Sequence, residues 1–306
     1  MTRAPDEQPH EHPFVSVVVP VRDGERTIAA CLEALRRQSF PAERREILAV
    51  DNGSADRTPE LIRSGGATYL SEPRPGVSNA RNRGIEAARG EIVALLDADC
   101  LAEPNWLGEL VAPFADPEVG CVAGELRHGP AETPAQRQSV RMLGNWQRFA
   151  TSSNPPYVVT ANAAFRRSVF DQIGLFDPRM TRAQDVELSL RFNQLSPLRV
   201  RYRPQAVVYH DHPATQRGFF RQQLGWAYGA GLVEAKSRAA GRPRSAGPRL
   251  SPFVPQIRGL AAVLRERARG NARPEYLEDA WYSLVRQLAW WSGGWAGLLR
   301  GRRRFS

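Results

Sequence analysis

Two carboxylates separated by one residue close an apolar run, Ile92-Val93-Ala94-Leu95-Leu96-Asp97-Ala98-Asp99. A short aliphatic and β-branched run reads as a buried strand, and in open α/β sheets ligands bind at the ends of strands. Neighbouring carboxylates are well tolerated where a divalent cation sits between them and a polyphosphate. The plain alternative is one Asp capping the helix near Pro104 and the other solvated. Two further polar clusters fall at a strand end or a helix start: Asp51-Asn52-Gly53-Ser54 and Gln184-Asp185. The turn after the first apolar run, Pro20-Val21-Arg22-Asp23-Gly24-Glu25, lacks Gly-x-Gly-x-x-Gly, and no Gly-Lys-Ser/Thr phosphate loop occurs. Both absences speak against a nicotinamide-binding Rossmann domain and a P-loop nucleotidase.

The elements that must position these residues are legible as alternation. Phe14–Val19, Glu46–Val50, Ala67–Leu70 and Glu91–Leu96 read as strands. Helical spacing of apolar residues runs through Glu25–Gln38, a short stretch around Leu61 and Ile62, and Ser78–Ala88. Strands alternating with helices at this spacing predict a parallel sheet with crossover helices. Beyond Pro104 the order becomes mixed. Helices are expected over Trp106–Phe114, around Ser139–Phe149 and over Asp185–Leu195; strands are expected near Val119–Leu126, Tyr157–Thr160, Leu198–Tyr202 and Ala206–Tyr209.

Composition sets bounds on the class. The 306 residues, 42% hydrophobic and 24% charged, describe a soluble globular chain large enough for a full α/β core with an appendage. Cys31, Cys100 and Cys121 lie in or beside apolar segments without metal-ligand spacing, which fits a reducing cytoplasm rather than a disulfide scaffold or zinc site. Met1–His12 has no apolar core, so no signal peptide is expected, and no stretch approaches the roughly 20 apolar residues of a spanning helix. The net charge of +10 is uneven: Lys236–Ser306 holds 15 basic and 4 acidic residues, the preceding part 27 and 28. Such a tail suits an anionic partner.

The chain resembles family 2 glycosyltransferases. The resemblance rests on Val17–Val21, Val50-Asp-Asn-Gly-Ser-Ala-Asp-Arg-Thr58, Gly76–Ile85, Arg89–Val93 and Leu96-Asp-Ala-Asp99. Downstream it continues with Ala161–Arg167, Gly174-Leu-Phe-Asp177 and Gln184–Arg191, in the family's order over roughly residues 14–235. It implies an α/β GT-A fold, a Rossmann-like mixed sheet flanked by helices, here with a helical C-terminal extension. It also implies inverting transfer from a nucleotide-sugar, a UDP-sugar being expected, with magnesium or manganese. The implied organisation is a flexible N-terminus (1–13), a catalytic domain (14–235) divided near residue 100 into nucleotide-binding and acceptor halves, a linker (236–255) and a basic, Trp-rich helical extension (256–306).

By position in the family, Pro20, Val21 and Glu25 would line the base and ribose pocket. Asp51 would accept from the base edge, or else only shape its turn. Arg81 would offset diphosphate charge through a bidentate bond, or lie on a solvated helix face, with Asn82 beside it. Asp97 would contact ribose or a metal-bound water, Ala98 would lie between the carboxylates against the nucleotide-sugar, and Asp99 would ligate the metal. Asn162 would face a sugar, or else hold the core by hydrogen bonds. Asp185 matches the family's catalytic base; it opens a helix whose dipole favours the anion, and Gln184 departs from the acidic residue usual before it. His210, with His212 as competitor, matches a histidine that completes the metal shell in many GT-A enzymes. Processive relatives carry Gln-x-x-Arg-Trp; here Gly225 replaces the Arg in Gln222–Trp226, which favours single additions.

The acceptor is expected to be a saccharide, a lipid-linked molecule or a small metabolite. Between Trp281 and Leu299 the tail combines four Trp with Leu residues, followed by Arg302-Arg303-Arg304. That composition fits a helix lying peripherally on an anionic membrane surface at its cytoplasmic face, or aromatics packed on the protein. Nucleic acid is not an expected partner, because no recognisable binding module accompanies the charge.

Overall fold

Buried aliphatic runs form the centre of the sheet. The computed structural model describes residues 12–144, 146–241 and 274–305. Strands β1 (Val15–Val21), β2 (Arg45–Asp51), β3 (Thr68–Ser71) and β4 (Ile92–Leu96) alternate with helices α1 (Ile28–Arg36), α2 (Thr58–Ser64) and α3 (Val77–Ala87). β1 pairs in parallel with β2 and β4, and β2 with β3, as right-handed crossovers require. Every residue of β1 and β4 is buried, which is why these strands read as continuous apolar runs. Pro20 sits in β1 without breaking a ladder, since β4 pairs only as far as Val18.

The remaining elements are β5 (Cys100–Ala102), α4 (Trp106–Val111), β6 (Val119–His128), α5 (Pro134–Leu143), α6 (Trp146–Ser152), β7 (Asn162–Arg166), α7 (Arg167–Ile173), α8 (Gln184–Leu195), β8 (Arg199–His210), α9 (Gln216–Ala239) and α10 (Pro274–Phe305). The strand order is β3-β2-β1-β4-β7-β6-β8-β5, with β7 antiparallel to β4 and to β6. The mixed α/β sheet flanked by helices is the expected one.

Four readings beyond Pro104 are corrected. The helix expected over Ser139–Phe149 is two helices, because Gly144 adopts a positive φ of 40° and ends α5. Tyr157–Thr160 is not a strand; pairing starts at Asn162. Leu198–Tyr202 and Ala206–Tyr209 belong to one strand, β8, that passes through Pro204. Its neighbour β5 is only three residues long, so most of that edge makes no ladder bond for proline to break. Finally, Lys236–Ala239 form the last turn of α9, so these four residues are helix and not linker. The expected linker beyond Gly241, the start of the expected extension and most of the N-terminus lie outside the described residues.

The chain divides into two compact units. The first comprises residues up to 126, 147–175 and 189–209; the second comprises 127–146, 176–188 and those from 210 onwards. In the first, β1, β4, α1 and α4 share one core containing Val17, Leu32, Leu96, Trp106 and Leu110. In the second, α9 and α10 lie backbone to backbone. A Cβ on Gly297 would stand 1.9 Å from the Tyr228 carbonyl oxygen, and one on Gly293 2.5 Å from that of Leu224. At the other end of α10, Tyr282 meets Phe219 edge-on with ring centroids 5.0 Å apart.

Candidate active site

In the first unit two loops at the C-terminal ends of β1 and β2 are laced together by hydrogen bonds. Asp23, at a positive φ of 51°, accepts from the Ala55 amide at 2.8 Å, and its own amide donates to Ser54 Oγ at 2.9 Å. The Gly24 amide donates to Thr58 Oγ1 (2.8 Å) and the Glu25 amide to Asp56 Oδ2 (3.1 Å). Glu25 itself is exposed, whereas Pro20 and Val21 are buried in β1. Asp51 is buried; its Oδ1 accepts from the Ser54 amide at 3.0 Å and its Oδ2 from the Tyr69 hydroxyl at 3.3 Å. The turn-shaping reading of Asp51 therefore holds for Oδ1.

Asn52 staples the next loop. Its amide donates to the Glu72 and Arg74 carbonyls at 2.8 and 2.7 Å, and its Oδ1 accepts from the Gly76 amide at 2.8 Å. Asn-Gly after a strand signals a turn; nothing in that signal reveals the reach to residue 76.

The Asp97-Ala98-Asp99 segment is a tight turn joining β4 to β5, closed by the Cys100 amide on the Asp97 carbonyl at 3.0 Å. Ala98 is buried, Asp97 half-buried and Asp99 exposed. Arg81 overturns the solvated-face alternative: it is buried on α3, and its Nη2 donates to Asp97 Oδ1 at 2.8 Å. The structure thus shows Arg81 directed at a carboxylate. Asn82 is buried beside it. Burial, then the charges of Asp99 and Asp97, push the Cys31 thiol up to about 12.

Asn162 is corrected outright. It has no exposed surface and uses its whole side chain internally: Trp106 Nε1 donates to its Oδ1 at 2.8 Å, and its Nδ2 donates to the Glu125 and Ala206 carbonyls at 2.8 and 2.9 Å. No polar atom is left for a sugar. It joins β6, β7, β8 and α4.

The second unit holds Asp185 and His210. Ala183, at a positive φ of 53°, accepts the first bond of α8 from the Glu187 amide at 3.1 Å. A left-handed non-glycine residue is strained and such strain gathers at functional sites. Asp185 follows in the first turn, half-buried, with Oδ1 accepting from the Val186 amide at 2.8 Å. Two residues on, Glu187 and Asp177 both accept from Lys236, at 2.7 and 2.6 Å. Burial would raise the Asp177 carboxyl, but the bonds from Arg179 and Lys236 outweigh it and hold the group well below the usual range.

His210 ends β8, and its ring meets that of His212 edge-on at 5.3 Å; His212 Nε2 lies 2.5 Å from His128 Nδ1. His128 escaped the sequence reading because its ring partner His212 lies 84 residues away. Among the described residues, no group of three or more His, Cys, Asp or Glu is arranged to hold a metal ion by itself. On α9 the expected gap at Gly225 is flanked by a cation after all, since a Cβ there would lie 3.4 Å from Arg182 Nε. Trp226 stacks on Trp146 with centroids 6.2 Å apart.

Comparison with known proteins supplies the family. The model of glycosyl transferase family 2 matches residues 16–174. Glycosyltransferase AglE of Haloferax volcanii is 33% identical over 58% of this chain and 61% of its own length. Pre-mycofactocin glycosyltransferase of Mycobacterium tuberculosis is 32% identical over 69% of this chain and 46% of its own. The chain thus spans less than two thirds of these relatives. Among solved structures, the mannosyltransferase PcManGT of Pyrobaculum calidifontis, in complex with GDP-Man and Mn2+, shares the fold with a TM-score of 0.61 and 24% identity over 92% of this chain and 86% of that one. Glucosyl-3-phosphoglycerate synthase of Mycobacterium tuberculosis, in complex with Mn2+ and UDP-Glc, gives 0.53 and 19% over 79% and 84%. Family model and fold agree: the chain belongs to glycosyltransferase family 2 and has the GT-A fold.

Proposed function

We propose that the protein moves one sugar from a nucleoside diphosphate sugar to an acceptor hydroxyl, with inversion at the anomeric carbon. The observation that carries this reading is the Asp97-Ala98-Asp99 turn at the C-terminal end of β4, with Asp97 held by buried Arg81 and Asp99 left at the surface. Exposed carboxylate oxygen suits a hard divalent cation, so Asp99 would hold magnesium or manganese, and diphosphate oxygens would complete the shell. Two of the fold's neighbours carry Mn2+ with a nucleotide-sugar, which supports the same requirement here. When bound, the cation neutralises charge on the departing diphosphate.

The chain's own residues supply the rest. Pro20, Val21 and Glu25 frame the nucleotide with Asp51, whose Oδ2 has capacity beyond Tyr69 to accept from a base edge; this favours a UDP-sugar. Asp185 takes the acceptor proton as the new oxygen–carbon bond forms and the carbon–oxygen bond to diphosphate breaks. Its place in the first turn of α8 favours the anion it must be. The acceptor is a saccharide, lipid-linked or small-molecule hydroxyl of glycoconjugate synthesis. A thermal-shift screen of UDP- and GDP-sugars with and without manganese tests the reading, because a ligand bound only by the native state raises the melting temperature. Stabilisation by at least one donor, dependent on manganese and absent in Asp99→Asn, is expected; no response to any donor would refute it.

A further inference from the structure

The face that α10 turns outward has the chemistry of a membrane interface. From Trp281 to Phe305 this helix contains five arginines and no acidic residue. Its inner side is taken up by Tyr282, Val285 and Ala289, then by Gly293, Gly297 and Gly301, all buried. The glycines lie against α9 so closely that no side chain fits there. Glycine contact leaves the large apolar residues on the other side. Trp281 and Leu288 are each 46% exposed, Trp291 37% and Leu299 56%. At 3.6 residues per turn these four fall within about 80° of one another, along a stripe of about 27 Å. Trp290 is set apart from them, its indole N–H donating to Gln223 Oε1 at 3.1 Å. The expectation of aromatics packed on the protein is met at Tyr282, against Phe219, and at Trp290, against Gln223. Arg302 and Arg303 are exposed at its end.

We propose that this stripe docks α10 flat on an anionic lipid surface, indoles at headgroup depth and arginines against the lipid phosphates. Three observations select that occupant. Tryptophan is the side chain of the lipid–water boundary, and an amphipathic helix rich in Trp, Leu and Arg lies in that plane. From Trp281 onward the charge is of one sign, which complements an anionic leaflet and repels a second copy laid alongside in parallel. No helix among the described residues is long and apolar enough to cross a membrane, so α10 would rest on the bilayer rather than span it. The inference is independent of which sugar is transferred.

The test is sedimentation of the full chain with vesicles of pure phosphatidylcholine and of an equimolar phosphatidylcholine–phosphatidylglycerol mixture. Tryptophan emission is read alongside, and oligomeric state is measured by light scattering without lipid. Binding to the anionic vesicles with a blue shift is expected, weakened at about 1 M salt where the screening length is about 3 Å. Trp281→Gln/Leu288→Gln/Leu299→Gln should melt like the parent yet partition at least a hundredfold less. Arg302→Gln/Arg303→Gln should lose about fivefold per arginine and much of the salt dependence. Failure to bind anionic vesicles, or equal binding by the triple Gln variant, overturns the proposal. So does a lipid-free dimer that the triple variant dissolves, which would make a second copy the occupant.

Discussion

Asn162 separates a ligand residue from a core residue more sharply than any other position. Its side chain makes three internal hydrogen bonds, to Trp106, Glu125 and Ala206, and has no exposed surface. Each bond is worth about 1 kcal/mol net, and stranding a buried donor adds a desolvation cost of about 1–3 kcal/mol. Asn162→Ala should therefore destabilise by about 4 kcal/mol, a fall of about 8–16 °C at about 2–4 °C per kcal/mol. Asn162→Asp should cost at least as much, because a buried carboxylate would face two carbonyl oxygens in place of an amide donor. Thermal unfolding followed by circular dichroism gives the first readout, and donor KM at a temperature where both proteins are folded gives the second. An alanine variant that melts with the parent while its donor KM rises tenfold would refute the core assignment and restore Asn162 to the sugar site.

Asp185→Asn should reduce turnover by at least about a thousandfold while donor binding and melting temperature stay at parental values; a variant retaining full turnover removes Asp185 as the base. Asp177→Asn should destabilise by about 2–3 kcal/mol near neutral pH, since it leaves Lys236 and Arg179 facing a neutral amide. The Asp177 carboxyl is lowered in the folded state, so its stabilisation is complete above the ordinary carboxylate range and is lost as pH falls below about 4. Urea unfolding from pH 7 to pH 3 should accordingly show the gap between variant and parent narrowing towards acid; a constant gap would mean that the charge does not matter.

Much of the first half of the fold was legible because its strands are buried on both faces. Val17–Val19 and Ile92–Leu96 bury every side chain, and such strands leave an unmistakable aliphatic run. After residue 104 the signals weaken for identifiable reasons. The β7 strand opens Asn-Ala-Ala, chosen for the Asn162 bonds and close packing rather than for β propensity. Helix α9 mixes glycine, arginine and glutamine with little amphipathy, because Gly231 meets the α10 backbone while Gly225 and Gly229 lie against Arg182 and Ala183; it went unread as an element. The strand-end acids were visible because β4 is so apolar that they stand out. What Arg81 and Asn52 do was not, since each acts across 16 or more residues of sequence, a distance that no local pattern records.

The most direct measurement is release of free nucleoside diphosphate from a panel of UDP- and GDP-sugars with manganese, comparing the parent with Asp99→Asn. Turnover of at least one donor by the parent, abolished by a chelator and by the variant, is the predicted result. Release by Asp99→Asn at the parental rate, unaffected by chelation, would contradict the assignment of the β4 turn as the seat of a required cation.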